Sequence, residues 1–193
     1  MARSRVKTRG TATTASHSSS SRSRSIANPN PLAREWRHIP KLVVFDLDFT
    51  LWLPEMYELD GAPFRKDPST GAVTDRAGEQ VRFFPAVDSV LSVLELDEQF
   101  RDATEVAVAS RTTEPHWAKT CMRLLDVELT HVDGSNSRKT SLQSVVDYEA
   151  IYPRNKRAHF AQLKEESGVE YADMLFFDNE YGNIRDISAL GVV

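Results

Sequence analysis

One cysteine, Cys121, stands in 193 residues, so an internal disulfide is excluded, as is a metal site built from several thiolates. Long apolar runs are equally scarce. None approaches the ~18–20 residues of a membrane-spanning helix, and none forms the apolar stretch of a secretory signal. The expectation is a soluble protein of a reducing compartment, the cytoplasm, without a membrane partner. Histidine spacings do not repeat in a way that would build a metal cluster. Acidic residues are missing from one region only. Residues 1–34 hold no Asp or Glu and seven basic residues (Arg3, Arg5, Lys7, Arg9, Arg22, Arg24, Arg34). Subtracting that +7 from the whole-chain −4 leaves −11 for residues 35–193. An acidic body argues against a broad grip on nucleic acid, and it must gather positive charge locally to hold an anionic substrate.

Residues 1–33 are rich in Ser, Thr and Arg and offer little to bury, which predicts a disordered basic tail. The same composition suits an organelle transit peptide, which would move the protein to an organelle. The lack of amphipathic periodicity favours a simple tail. The rest, residues 34–193, reads as one domain.

From Lys41 the pattern changes. Leu42-Val-Val-Phe45, Glu105-Val-Ala-Val-Ala109 and Asp173-Met-Leu-Phe-Phe177 are short apolar runs that predict strands buried on both faces. Between and after them lie helical patterns. Residues 86–96 place Val87, Val90, Leu91 and Leu94 on one face, and residues 114–125 turn Trp117, Cys121, Leu124 and Leu125 inward. Residues 155–167 run from an Asn155 cap to Gly168, and residues 181–190 end at Gly191. Strand–helix alternation predicts an α/β fold, a parallel sheet with helices on its faces. Residues 62–84, punctuated by Pro63, Pro68, Gly71 and Gly78, predict a small β-hairpin flap. Val192-Val193 reads as the opening of a further strand.

Sites in open α/β sheets form at the carboxyl ends of strands. Three strands here end in chemically capable residues: Asp46 and Asp48; Ser110, Arg111 and Thr112; Asp178, Asn179 and Glu180. Carboxylates repel phosphate unless a hard cation joins them, and Mg²⁺ prefers oxygen ligands and phosphate oxygens. Asp46 can then attack phosphorus, with Asp48 as acid and base. Ser110 supplies a hydroxyl, Lys156 positive charge near a helix start, and Asp178 a metal ligand.

These residues resemble the haloacid dehalogenase superfamily. Its D-x-D-x-T motif matches Asp46-Leu-Asp-Phe-Thr50, followed by Ser110, Lys156 and Asp178 in order. Within it, the strings Phe45-Asp-Leu-Asp-Phe-Thr-Leu-Trp52, Ala109-Ser-Arg-Thr112, Ile151-Tyr-Pro-x-x-Lys156, His159-Phe160 and Phe176-Phe-Asp-x-Glu180 are similar to the magnesium-dependent phosphatase-1 family. The resemblance covers residues 41–193. It implies a Rossmann-like fold without a large cap, and acid phosphatase activity on phosphotyrosine or sugar phosphates, ketoamine-linked ones included. The partner is then a small phosphorylated metabolite or a phosphotyrosine-containing protein. It implies Asp46 as nucleophile, Asp48 as acid/base, and Mg²⁺ held by Asp46, the Asp48 carbonyl and Asp178. Ser110, Arg111 and Lys156 contact phosphate or substrate, and Asn179 and Glu180 stand behind the metal ligands. Two departures are visible. The family pattern has two adjacent Asp residues where this chain has Asp178-Asn179, and the sheet is expected to lack its last strand, as in a fragment.

The plainer readings are these. Phe49 and Trp52 serve packing, His116 is a helix-start residue, and His159 is structural. Rival functions are a phosphoserine/threonine protein phosphatase of the same superfamily, a catalytically silent binding module, and RNA binding through the tail.

Overall fold

The computed structural model describes Trp36 and residues 38–193; the expectations for residues 1–33 fall outside them. Its compact unit spans Ile39–Val193. The first strand, β1 (Leu42–Phe45), lies between β10 (Met174–Phe177) and β6 (Glu105–Ser110), and β9 (Tyr148–Ile151) closes the order β10-β1-β6-β9. All three pairings are parallel, with Phe45 level with Val108 on one side and Phe177 on the other.

Alternation along the strands divides the interior in two. Val43, Phe45, Val106 and Val108 point into a core shared with α1 (Val87–Leu96) and α2 (Pro115–Leu124). Leu42, Val44, Ala107 and Ala109 face α4 (Lys156–Ser167) and α5 (Tyr181–Ser188), where Phe160, Leu163 and Ile187 pack. A strand with apolar neighbours on both faces needs a continuous apolar run, which is why β1 and β6 are visible in the sequence; β10, expected to be buried on both faces, stands at the end of the sheet order with Met174 and Phe176 buried, Leu175 partly covered and Phe177 exposed. Asn155 caps α4 through Ala158 N–H at 3.0 Å, and Gly168 ends it in the left-handed conformation at φ 71°. Val193 bonds to β10 through both its N–H, to Met174 O, and its C=O, from Phe176 N–H.

Several expectations require correction. The flap is a sheet of four short strands in the order β2-β5-β4-β3, not one hairpin. They are β2 (Trp52–Leu53), β3 (Arg65–Lys66), β4 (Val73–Thr74) and β5 (Gln80–Phe83). β5 pairs with β2 as well as β4, so the flap is rooted in the segment that follows Asp48. Gly61 sits at φ +93° against the Trp117 ring, where a Cβ would come within 2.3 Å of Cζ2, which leaves room for glycine only.

Residues 126–151 hold elements that apolar periodicity does not reveal: the hairpin β7 (Asp126–Thr130) and β8 (Ser137–Ser141), the short α3 (Leu142–Val145), and β9. As an edge strand with a half-polar sequence, Tyr148-Glu-Ala-Ile151, β9 lacks the signature of its buried neighbours. The same hairpin explains why Val90 is exposed on α1 while Ser92 is buried. The Ser92 hydroxyl donates to Asp88 C=O at 2.6 Å and accepts from Thr130 N–H at 3.0 Å, joining α1 to β7. On α2, Ala118, Cys121 and Met122 are the buried residues, with Trp117 and Leu124 only partly covered.

Candidate active site

Because β10, β1 and β6 are adjacent and parallel, their carboxyl ends meet at one edge of the sheet. There a cleft of about 240 Å³ is lined by Asp46, Asp48, Ser110, Arg111, Thr112, Lys156, Asn179 and Glu180, with Glu55 and Tyr57 from the flap, Thr113 and Asn183. The predicted residues therefore share one cavity, Asp178 joining them through Lys156.

Lys156 is the hub. It occupies the first position of α4, and its side chain turns inward until the residue is 2% exposed. Its ammonium lies 2.7 Å from Asp46 Oδ1 and 3.0 Å from Asp178 Oδ2, and donates to the Ala109 carbonyl. Three donors thus meet three acceptors from three different strands. Burial pushes Asp46 up to about 6, against the opposing pull of Lys156; the neighbouring Asp178 charge adds to the rise.

Asp48 points elsewhere. Its Oδ1 accepts the Trp52 indole N–H at 2.6 Å, and the Met56 N–H also donates to its carboxylate. Burial again is the main cause that raises it to about 6. Trp52 is fully buried, as packing requires, but its N–H also serves the site. Phe49 departs from the packing expectation. It sits at φ 54° in the tight loop after β1 and is exposed, while its N–H bonds to Trp52 O at 2.8 Å.

Asp178 is held from three sides. Besides Lys156, it accepts from Glu180 N–H at 2.7 Å and from the Asn183 amide at 3.0 and 3.1 Å. Asn183 turns its oxygen to Arg111, 3.3 Å away, while Glu180 lies 3.6 Å from the same guanidinium. Arg111 thus reaches the cleft tethered to the acidic arm. Asn179 lines the cleft too, its N–H on the Thr50 hydroxyl at 3.2 Å. Ser110 is buried, its hydroxyl accepting from Thr112 N–H at 3.3 Å.

Among the described residues, no group of three or more His, Cys, Asp or Glu side chains is gathered to hold a metal. Two buried carboxylates, Asp46 and Asp178, do converge, and Lys156 offsets only one of their charges. The donors at this edge are hard oxygens: two carboxylates, the Asp48 carbonyl and the amide oxygen of Asn179. Cys121 is buried, its thiol pushed up to about 12. That set fits Mg²⁺, which accepts few protein ligands and keeps water and phosphate oxygens in the others.

Asn183, Glu55 and Tyr57 carry no motif in the sequence that signals their place at the site, and Trp52 reads there as packing alone. A polar residue in the first turn of a helix reads as solvent-facing. Asn183, five residues beyond Asp178, had only that spacing as a signal. His159 is structural, as expected. Fully buried, it donates Nε2–H to Tyr152 O at 2.9 Å, holding the turn that leads into Lys156. Its Nδ1 is buried without a hydrogen-bond partner among the described residues, and burial lowers the ring to about 4. Below its unfolded value near 6.5 the unfolded chain gains a proton that the folded one refuses. The neutral ring's contribution is complete above pH 6.5 and shrinks as pH falls towards 4, by about 3 kcal/mol in all. Denaturant titration of wild type and His159→Phe from pH 7 to 4 should show their stability difference narrowing by that order. The opposite trend of Asp46 and Asp48 is common to both proteins and cancels.

Residues 38–193 match the acid phosphatase family. Magnesium-dependent phosphatase 1 of Homo sapiens is 37% identical over 154 residues, 80% of this chain and 76% of that protein. A HAD-like hydrolase superfamily protein of Schizosaccharomyces pombe is 35% identical over 156 residues, 79% of this chain and 83% of that protein. A magnesium complex of a HAD family enzyme from Bacteroides thetaiotaomicron aligns at 15% identity with a TM-score of 0.49, over 81% of this chain and 91% of that one. The family match spans the whole sheet and every residue of the cleft. The chain therefore belongs to the acid phosphatase family of the haloacid dehalogenase superfamily, as a relative of magnesium-dependent phosphatase 1.

Proposed function

We propose that this chain is a Mg²⁺-dependent phosphatase that hydrolyses phosphomonoesters of the phosphotyrosine or sugar-phosphate class through a phosphorylated Asp46. The observation that carries this reading is the buried Lys156 ammonium, 2.7 Å from Asp46 and 3.0 Å from Asp178, beside a second carboxylate, Asp48, at the same strand end.

Asp46, Asp178 and the Asp48 carbonyl are the groups that would hold Mg²⁺, which would neutralise charge on the phosphoryl oxygens. Ser110 and Arg111 hold the phosphate, and Lys156, its three donors engaged by Asp46, Asp178 and the Ala109 carbonyl, lends its positive charge from beneath. In the first half-reaction an Asp46 oxygen forms a bond to phosphorus as the bond to the leaving oxygen breaks. Asp48, protonated, gives that oxygen its proton. In the second, Asp48 takes a proton from water, the water oxygen bonds to phosphorus, and the Asp46–phosphorus bond breaks. Lys156 keeps Asp46 oriented throughout and balances the charge that accumulates. A raised Asp48 spends more of its time protonated near neutral pH, which suits a group that must be acid first and base second.

The cleft's volume, about 240 Å³, and the flap residues Glu55 and Tyr57 at its wall suit one phosphorylated side chain or a small sugar. A silent binding module is disfavoured because Asp46, Asp48, Ser110, Lys156 and Asp178 all stand in place; Asn179 alone departs. A panel of phosphotyrosine peptides, phosphoserine peptides and sugar phosphates, assayed with Mg²⁺ and with chelator, is the test. Turnover of a phosphotyrosine or sugar ester that disappears on chelation is expected. Preference for phosphoserine peptides, or turnover unaffected by chelation, overturns the proposal.

A further inference from the structure

Trp52 has a role in the cleft that neither packing nor the family pattern assigns. Its indole is fully buried, and its one polar atom, Nε1, donates to Asp48 Oδ1 at 2.6 Å. The backbone closes the same unit. Phe49 N–H bonds to Trp52 O at 2.8 Å, Trp52 N–H to Leu47 O at 3.2 Å, and a β-bridge joins residues 48 and 52. Trp52 also begins β2, whose pairing with β5 ties it to the flap sheet. The acid/base carboxylate and the flap are therefore joined through the Trp52 side chain, beside the Met56 N–H that also donates to Asp48.

We propose that Trp52 is a positioning residue for proton transfer, fixing which Asp48 oxygen meets the substrate; this rests on the function proposed above. An indole N–H can only donate. Oδ1, occupied by that hydrogen, stays an acceptor; the Met56 N–H also donates to the carboxylate, and with Oδ1 held by the indole the transferable proton is assigned to Oδ2. Oδ2 protonates the leaving oxygen as its bond to phosphorus breaks, and Oδ2 later takes the proton of the attacking water. Lacking the indole donor, Asp48 keeps the Met56 N–H but loses the contact that fixes Oδ1, so its oxygens can exchange and proton delivery falls out of register with bond breaking.

The consequence depends on the leaving group. A nitrophenolate departs without help, whereas an alkoxide needs its proton in the transition state. Values of kcat/KM are to be measured for p-nitrophenyl, phenyl and simple alkyl phosphates, with wild type, Trp52→Phe, and a protein whose position-52 indole is replaced by its benzothiophene isostere. The isostere keeps the ring volume and deletes only the N–H, so it decides the matter if Trp52→Phe does not fold. The expected result is a loss of about tenfold or more for the alkyl ester, against about threefold or less for p-nitrophenyl phosphate. The plot of rate against leaving-group basicity becomes steeper. An equal loss for every ester, or none, overturns the assignment, because a residue that only packs lowers all substrates together. Wild type inactive on every ester, or Asp46→Asn still active, would sink the proposed function and this inference with it. Parallel plots with active wild type remove the Trp52 role alone.

Discussion

Asp46→Asn should abolish turnover while leaving the protein folded. The substitution keeps shape and size but turns the attacking oxygen into an amide, which cannot form the acyl phosphate. Removal of a catalytic nucleophile lowers kcat by about 10⁴-fold or more. The structural effect runs the other way. Asp46 is 8% exposed and is pushed up to about 6, principally by burial. For a carboxylate raised above its unfolded value, the folded state holds more protons between pH 3.8 and 6, so stability falls as pH rises through that window and stays reduced above it. Replacing it by a neutral amide removes that penalty. In chelator at pH 7.5, Asp46→Asn should melt no lower than wild type. Rapid-quench mass spectrometry should find a phosphorylated tryptic peptide containing Asp46 in wild type and none in the variant. Residual turnover above a hundredth of wild type would show that another group attacks phosphorus.

Lys156→Met should damage both stability and catalysis. The thioether fills the channel that the lysine stem occupies, but nothing then compensates Asp46 and Asp178, whose side chains are 12% and 0% exposed. Removing one partner of a buried ion cluster destabilises by about 3–5 kcal/mol, because the remaining charge has neither water nor counter-ion. The loss has a signature. Without the ammonium Asp46 rises further, so the defect is greatest at alkaline pH and shrinks as Asp46 protonates. Mg²⁺ should recover part of it, and the rise in melting temperature on adding Mg²⁺ should be larger in the variant. Turnover should fall about 10²–10³-fold, the usual cost of losing a preorganised positive group. Lys156→Arg should not rescue, because a planar guanidinium cannot aim three donors at Asp46, Asp178 and the Ala109 carbonyl from one point. Thermal melts at pH 6 and 8, with and without Mg²⁺, measure all of this.

Much of the architecture was legible because burial leaves a local mark. Leu42–Phe45 and Val106–Ala109 must be apolar on both faces, Met174–Phe177 on the face that buries Met174 and Phe176, and each run ends where the sheet meets the cleft. Asn155 and Gly168 mark the ends of α4 through backbone chemistry that acts within a few residues. The edge strand β9 and the β7/β8 hairpin were not legible. Each owes its pairing to a partner, not to a periodic pattern of its own, and the hairpin's mark on α1 is polar, through Asp88 and Ser92. Flap connectivity was misread for a related reason. Val81-Arg-Phe-Phe84 pairs with Trp52, on the other side of the proline-rich stretch, and short strands carry too little pattern to choose a partner.

The sequence by itself determined that Asp46, Ser110 and Asp178 stand at strand ends and that Lys156 opens a helix, since strand and helix limits follow from neighbouring residues. Only the tertiary structure decided what each side chain faces. It turned Lys156 into the interior against two carboxylates, gave Asp178 to Asn183, and joined Asp48 to Trp52. Those choices depend on contacts between residues as far apart as Asp46 and Lys156, 110 positions along the chain. Hydrogen-bond geometry there is set by the packing of whole elements to within a fraction of an ångström, and residue order alone does not carry that information.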